Sequence, residues 1–188
     1  CAAAASATRS AGLLLLVPLA MLWWSSRDRR PRDAAWLLLG PVGLLAYAAW
    51  LGLVDGDALR FLDVQDAWSR ELAVPLGGAW DGLTAAIDGL RQLASGSRSP
   101  VYFQQAAGDP FRIAAINLML FASLVFALIA CVGVFRRLPR AYGAWVAVAL
   151  VLPLSFPVKP QPLMSLPRFL AVLFPIFMWL AVLTEERR

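Results

Sequence analysis

The stretch Asp109–Arg137, DPFRIAAINLMLFASLVFALIACVGVFRR, decides how this chain folds. Between Phe111 and Phe135 the only charge is Arg112, and a membrane-crossing helix needs about 20 such apolar residues. Asp109-Pro110 reads as an N-cap followed by proline at the first helical position. Four further segments resemble this one: Ala2–Trp24, Ala34–Val54, the shorter Ala141–Phe156, and Phe169–Thr184, in which Pro175 is expected as a kink. The expectation is an all-α, polytopic integral membrane protein with about five transmembrane helices.

Composition agrees. Of the 188 residues 60% are hydrophobic and 15% charged, and the mean hydropathy is +0.67. A soluble domain averages about 45–50% apolar and about 25% charged, so a soluble globular enzyme is excluded. The 10 Phe and 8 Trp exclude a disordered tail. With two Cys and no His, a thiolate–imidazole metal site is not expected, nor is a cofactor. Cys131, inside an apolar run, reads as a small buried hydrophobe. Cys1 admits a lipidated first residue, but the apolar segment behind it favours a fragment of a longer reading frame. There is no Gly-rich phosphate loop, HExxH or EF-hand pattern.

The net charge of +5 does not indicate nucleic-acid binding, because the Arg residues sit in short clusters beside apolar runs. Ser25–Asp33 (SSRDRRPRD) and Arg136–Arg140 (RRLPR) are two clusters, and the chain ends in Glu185-Glu186-Arg187-Arg188. Placing all three in the cytoplasm lets five spans alternate consistently, with Asp55–Pro110 and Pro157–Arg168 outside. The expected location is a bacterial cell membrane, or the endoplasmic reticulum in a eukaryote. The chain reads as one membrane domain, 1–188, with an extracytoplasmic loop over 55–110.

Two amphipathic helices are expected in that loop, lying in the membrane interface. In the first, Phe61, Val64, Trp68 and Leu72 share a stripe, with Asp66 and Arg70 off it. Pro75-Leu76-Gly77-Gly78 separates it from the second, where Trp80, Leu83, Ile87 and Leu90 align.

Polar residues at membrane depth mark three candidate sites. Arg9, in Thr8-Arg9-Ser10, either finds a partner within the span or snorkels to the head groups. Gln65, Trp68 and Arg70 offer an amide, an indole and a guanidinium suited to a sugar and its phosphate. The other reading there is a Trp-anchored interfacial helix. The Pro-rich segment from Phe156 to Arg168 carries Lys159, Gln161, Ser165 and Arg168. It suits an anionic lipid head group, or is a connector whose cations meet bulk anionic lipid.

Taken in order, Ala7-Thr8-Arg9-Ser10-Ala11-Gly12, then Phe61-x3-Gln65-x2-Trp68-x-Arg70, then Gln161-Pro162-Leu163-Met164-Ser165-Leu166-Pro167-Arg168-Phe169 ahead of Phe174-Pro175, resemble the C-terminal half of the PIG-V mannosyltransferases. That family comprises GPI mannosyltransferase II and its bacterial relatives. The resemblance implies a partial GT-C fold and transfer of mannose from a polyprenyl- or dolichyl-phosphate donor to a lipid-linked or glycan acceptor on the non-cytoplasmic face. It implies that Arg168 and Lys159 hold the donor phosphate, with Ser165 and Gln161 as hydrogen-bond partners. Gln65, Trp68 and Arg70 would line the sugar or acceptor side, and Arg9 would be a buried structural or phosphate-facing cation. The family's catalytic acid belongs to an earlier outer loop, so none is expected within these residues, and Phe169 stands where Tyr is frequent. The alternatives are another polyprenyl-phosphate-sugar GT-C transferase, or a non-catalytic subunit that binds or transports a lipid phosphate.

Overall fold

The computed structural model describes residues 2–63, 76–102, 108–158 and 161–185. It is all-helical, with 78% helix and no strand among the described residues. Ten α-helices are described: α1 (Ala2–Thr8), α2 (Leu16–Ser25), α3 (Pro31–Ala35), α4 (Val42–Val54), α5 (Arg60–Asp63), α6 (Gly77–Ser95), α7 (Pro110–Arg137), α8 (Arg140–Ser155), α9 (Leu166–Leu170) and α10 (Phe174–Glu185). Two 3₁₀ segments, Ser10–Leu15 and Trp36–Leu39, join α1 to α2 and bridge α3 towards α4.

Helix α7 forms as its sequence dictates. The Asp109 carboxylate accepts from Phe111 N at 3.1 Å, Pro110 opens the helix, and Arg136 and Arg137 close its last turn, where cations favour the dipole's negative end. Its inward side, Leu120, Leu124, Ala127, Ala130 and Val134, packs on Val146, Leu150 and Leu154 of α8 and on Leu166, Leu170, Leu173, Ile176 and Trp179 near the C-terminal end. Gly133 admits the Trp179 indole, which a Cβ there would overlap. Asn117 is the polar exception on this helix, buried with neither amide atom hydrogen-bonded.

The five expected spans correspond to two helical stretches long and apolar enough to cross a membrane, Pro31–Val54 and Pro110–Arg137, and to three shorter apolar ones, Ser10–Ser25, Arg140–Ser155 and Phe174–Glu185. The first expected span is not one helix. Arg9 adopts extended backbone (φ −159°, ψ 133°) and ends α1. The chain then folds so closely onto α1 that a Cβ on Gly12 would overlap the Ala5 backbone. Pro18 explains why α2 begins where it does, since proline is tolerated in a first turn but not deeper in a helix. The last expected span is divided likewise: Pro175 sits in the first turn of α10 and starts that helix, whereas a kink was expected. At about 1.5 Å per residue the 12 residues of α10 span about 18 Å, short of a bilayer core of about 30 Å.

Helix α6 buries a face that its sequence does not advertise. Gly77 and Gly78 belong to the helix and do not break it; Leu76, in left-handed conformation (φ 65°), precedes them. The buried face is Gly78, Gly82, Ala86, Gly89 and Gln92, a small-residue stripe of the kind that lets helix backbones approach in membrane proteins. The aromatic and aliphatic stripe expected to anchor the helix points away from the protein, Trp80 being 68% and Leu90 56% exposed. A Cβ on Gly78 would lie 2.7 Å from the Leu154 carbonyl oxygen of α8, and one on Gly89 3.1 Å from that of Ala114. Gly78→Ala is therefore expected to destabilise by about 1–3 kcal/mol through overpacking, read as a lowered unfolding midpoint in mild detergent. Gly52→Ala, where the added Cβ meets only Ala58 at 3.4 Å, is expected to be neutral or stabilising. Equal losses at the two positions would mean that α6 does not depend on its approach to Leu154.

In the described part of the α6–α7 connection, Gln92 gathers the chain from Ser97 to Tyr102. Gln92, fully buried, donates from Nε2 to Ser97 O (2.7 Å) and Ser99 O (3.1 Å), while its Oε1 accepts from Val101 N (3.0 Å) and Tyr102 N (3.4 Å). At the N-terminal end Ser6 has a similar role: its hydroxyl donates to Gly40 O at 2.6 Å and ties α1 to the turn before α4.

Candidate functional site

The seam between the Ser10–Leu15 segment and α8 opens into a cleft with two adjoining chambers. One, about 440 Å³, is walled by Ala5, Gly12 and Leu15 on one side, Trp145, Ala149 and Leu152 of α8 on the other, and Phe169 and Val172 at one end. The second, about 210 Å³, is walled by Ser10, Phe61, Leu62 and Phe156. Arg9, Ala11, Leu152 and Phe169 border both. Arg9 is the only charged side chain in either lining among the described residues. Its guanidinium carbon lies 5.3 Å from the centre of the Phe169 ring, within the range of a cation–π contact. No acid or hydrogen-bond acceptor holds that guanidinium among the described residues.

The local sequence explains this placement. Thr8 caps α1 from within, its hydroxyl donating to Ala5 O at 2.9 Å, and Arg9 then leaves the helix, which swings its side chain off the α1 surface. On the opposite wall, Ser165 takes the left-handed conformation (φ 74°, ψ −4°) and its carbonyl accepts from Arg168 N (3.0 Å) and Phe169 N (3.2 Å). A non-glycine residue held in that conformation costs of order 1–3 kcal/mol and persists only where surrounding packing demands it. Here Leu163 and Leu166 flank Ser165 and are buried in the core. Helical periodicity does the rest. With Leu166 and Leu170 turned inward, Phe169 faces the cleft and Arg168 is exposed.

Of the residues expected from sequence, Arg9 lies in the cleft, as an exposed side chain and not as a buried cation, because it leaves α1 at the cleft's edge. Arg168 borders neither chamber, and Ser165 and Gln161 are half-buried in the turn behind Phe169. Gln65, Trp68, Arg70 and Lys159 lie outside the described residues. Phe61, which opens the Gln65–Arg70 motif, does reach the smaller chamber and rests 6.2 Å from the Tyr47 ring. Thus pieces of three motifs separated by some fifty to a hundred residues meet in one cleft. Sequence reading missed the α8 wall: Trp145, Ala149 and Leu152 sit in an apolar run with no residue to set them apart. It also missed Gln92, although a glutamine three residues after Gly89 on the small-residue face was visible. No grouping of His, Cys, Asp and Glu that could hold a metal ion occurs among the described residues. No family model, curated protein or solved structure matches this chain.

The cleft therefore combines long apolar walls with a single unneutralised cation at the waist between its chambers. Such a site suits an amphipathic anion, whose tail replaces water along the walls and whose charge meets the guanidinium.

Proposed function

We propose that this chain forms the donor-binding part of a membrane mannosyltransferase of the GT-C type, using a polyprenyl-phosphate sugar on the non-cytoplasmic face of the membrane. The observation that carries this reading is the Arg9 guanidinium over Phe169, between two apolar chambers. An isoprenoid tail fits apolar walls, and a phosphate leaving group needs a fixed cation where its charge develops. Arg168, Ser165 and Gln161 lie outside both chamber linings, so the phosphate-holding role in this reading falls to Arg9, while Lys159 for the phosphate and Gln65, Trp68 and Arg70 for the sugar or acceptor rest on the sequence resemblance alone. The phosphodiester of the donor provides the leaving group, so catalysis calls for a carboxylate to take the acceptor proton. Another polyprenyl-phosphate sugar in place of mannose leaves this chemistry unchanged.

A second reading, binding of a lipid phosphate without transfer, is favoured by the absence of Asp and Glu from both chamber linings among the described residues. Farnesyl phosphate and farnesol as probes, followed by competition from mannosyl-phosphate polyprenol and from polyprenyl phosphate, separate these cases with the chain in lipid nanodiscs. Preference for farnesyl phosphate, with mannosyl-phosphate polyprenol the stronger competitor, supports a sugar-donor site. The same preference with the two lipids competing equally supports the binder. Equal affinity for farnesol and its phosphate would remove both.

A further inference from the structure

The same seam opens a second time at its far end. Between the last turn of α2 and the first of α8 lies a groove of about 610 Å³, walled by Ala20, Met21, Leu22, Trp24, Pro139 and Ala141, with Ser25 and Arg140 at its mouth. Antiparallel packing of α2 on α8 brings together two clusters that are more than a hundred residues apart in sequence: Arg27, Arg29, Arg30 and Arg32 from one, Arg136, Arg137 and Arg140 from the other. The described acids at this end are Asp28, Asp33 and, because α10 runs alongside the end of α7, Glu185. Arg140 has no ion pair among the described residues, and Arg29 lies over the Trp24 ring with its guanidinium carbon 5.2 Å from the centroid. Trp24 itself is 68% exposed, where an indole beside cations belongs at a membrane–water boundary.

We propose that this groove binds an anionic diacyl phospholipid, one acyl chain lying against Met21 and Leu22 and the head-group phosphate between Arg140 and Arg29. Charge complementarity selects the occupant: a basic pocket between membrane helices recognises anionic head groups, and the apolar floor excludes a free phosphate as the natural partner. The groove is separate from the Arg9 cleft, and its occupancy does not depend on any transferase activity.

Native mass spectrometry of the full chain, extracted from mixed phosphatidylglycerol and phosphatidylcholine, tests this. Phosphatidylglycerol is expected to be retained preferentially. The double variant Arg29→Gln/Arg140→Gln is expected to lower that retention about tenfold or more, since a phosphate held between two guanidiniums loses both charge-assisted contacts. Arg32→Gln/Arg136→Gln removes the same charge from residues that neither line the groove nor lie over its Trp24, and is expected to lower it several-fold less. Ala20→Phe fills the groove floor without changing charge, and it too is expected to displace the lipid. Equal losses in the two double variants would reduce the effect to diffuse attraction and overturn the site. So would undiminished retention in Ala20→Phe, or competition by sn-glycerol 3-phosphate as strong as that by the diacyl lipid.

Discussion

Arg9→Gln is expected to weaken farnesyl phosphate binding about 30- to 100-fold and to leave farnesol binding unchanged. A hydrogen bond to a charged group contributes about 1.5–3 kcal/mol, and every 1.4 kcal/mol is about tenfold in affinity. The guanidinium offers two parallel donors to a phosphate. Glutamine keeps one amide donor and much of the stem but loses the charge and the fork, so the phosphate-specific part of the affinity goes and the tail-specific part stays. Arg9→Lys is expected to fall between the two, keeping charge without planarity. If Arg9→Gln bound both probes as the parent does, Arg9 would be a surface cation and the cleft would not be a phosphate site. A loss of both probes in parallel would instead point to collapse of the cleft.

Gln92→Leu is expected to destabilise the fold by about 3 kcal/mol, measured as a shift of the unfolding midpoint in mild detergent. Leucine matches the buried volume closely enough that packing changes little. The cost lies in hydrogen bonding, because Ser97 O, Val101 N and Tyr102 N lose their partner at once and Ser99 O keeps only the Ser97 hydroxyl at 3.3 Å. A buried polar group left unsatisfied costs about 1–3 kcal/mol, and some of these four are expected to recover water at the loop surface. Gln92→Glu separates the two halves of the clamp: it keeps acceptors for Val101 N and Tyr102 N but loses the donors to Ser97 and Ser99 and turns repulsive toward their carbonyls. Stability within about half a kcal/mol of the parent in Gln92→Leu would show that the connection from α6 to α7 is held by the helix packing alone.

How far the fold was legible follows from the kind of signal each part carries. The span at Phe111–Phe135 was readable because length, apolarity and the Asp109-Pro110 cap are all local, and the structure reproduces its start and end within two residues. The breaks at Arg9 and before Phe174 were not readable as breaks. An apolar run looks the same whether it is one helix or two, and prolines at 18 and 175 were compatible with either. On α6 the hydrophobic signal sits on the Trp80–Leu90 stripe, whereas the face that packs on α7 and α8 is made of small residues that carry no such signal.

The candidate site divides in the same way. Arg9 stood out because a charge at membrane depth is costly wherever it lies. Its neighbour in the cleft, Phe169, and the α8 wall of Trp145 and Leu152 are ordinary apolar residues whose role depends on which elements pack together.

Sequence alone therefore determined what acts within one element: helical class, apolar segments, a capped α7, arginine clusters at segment ends, and an anomalous Arg9. Only the tertiary structure decided where the first and last apolar runs divide, which face of α6 is buried, and that the seam along α8 opens at Arg9 and again at Arg140. The physical reason is that hydrophobicity, capping and charge are properties of a residue and its near neighbours. Close backbone approach, a chamber wall and a clamp such as Gln92 are relations between distant segments, and they exist only once those segments are packed.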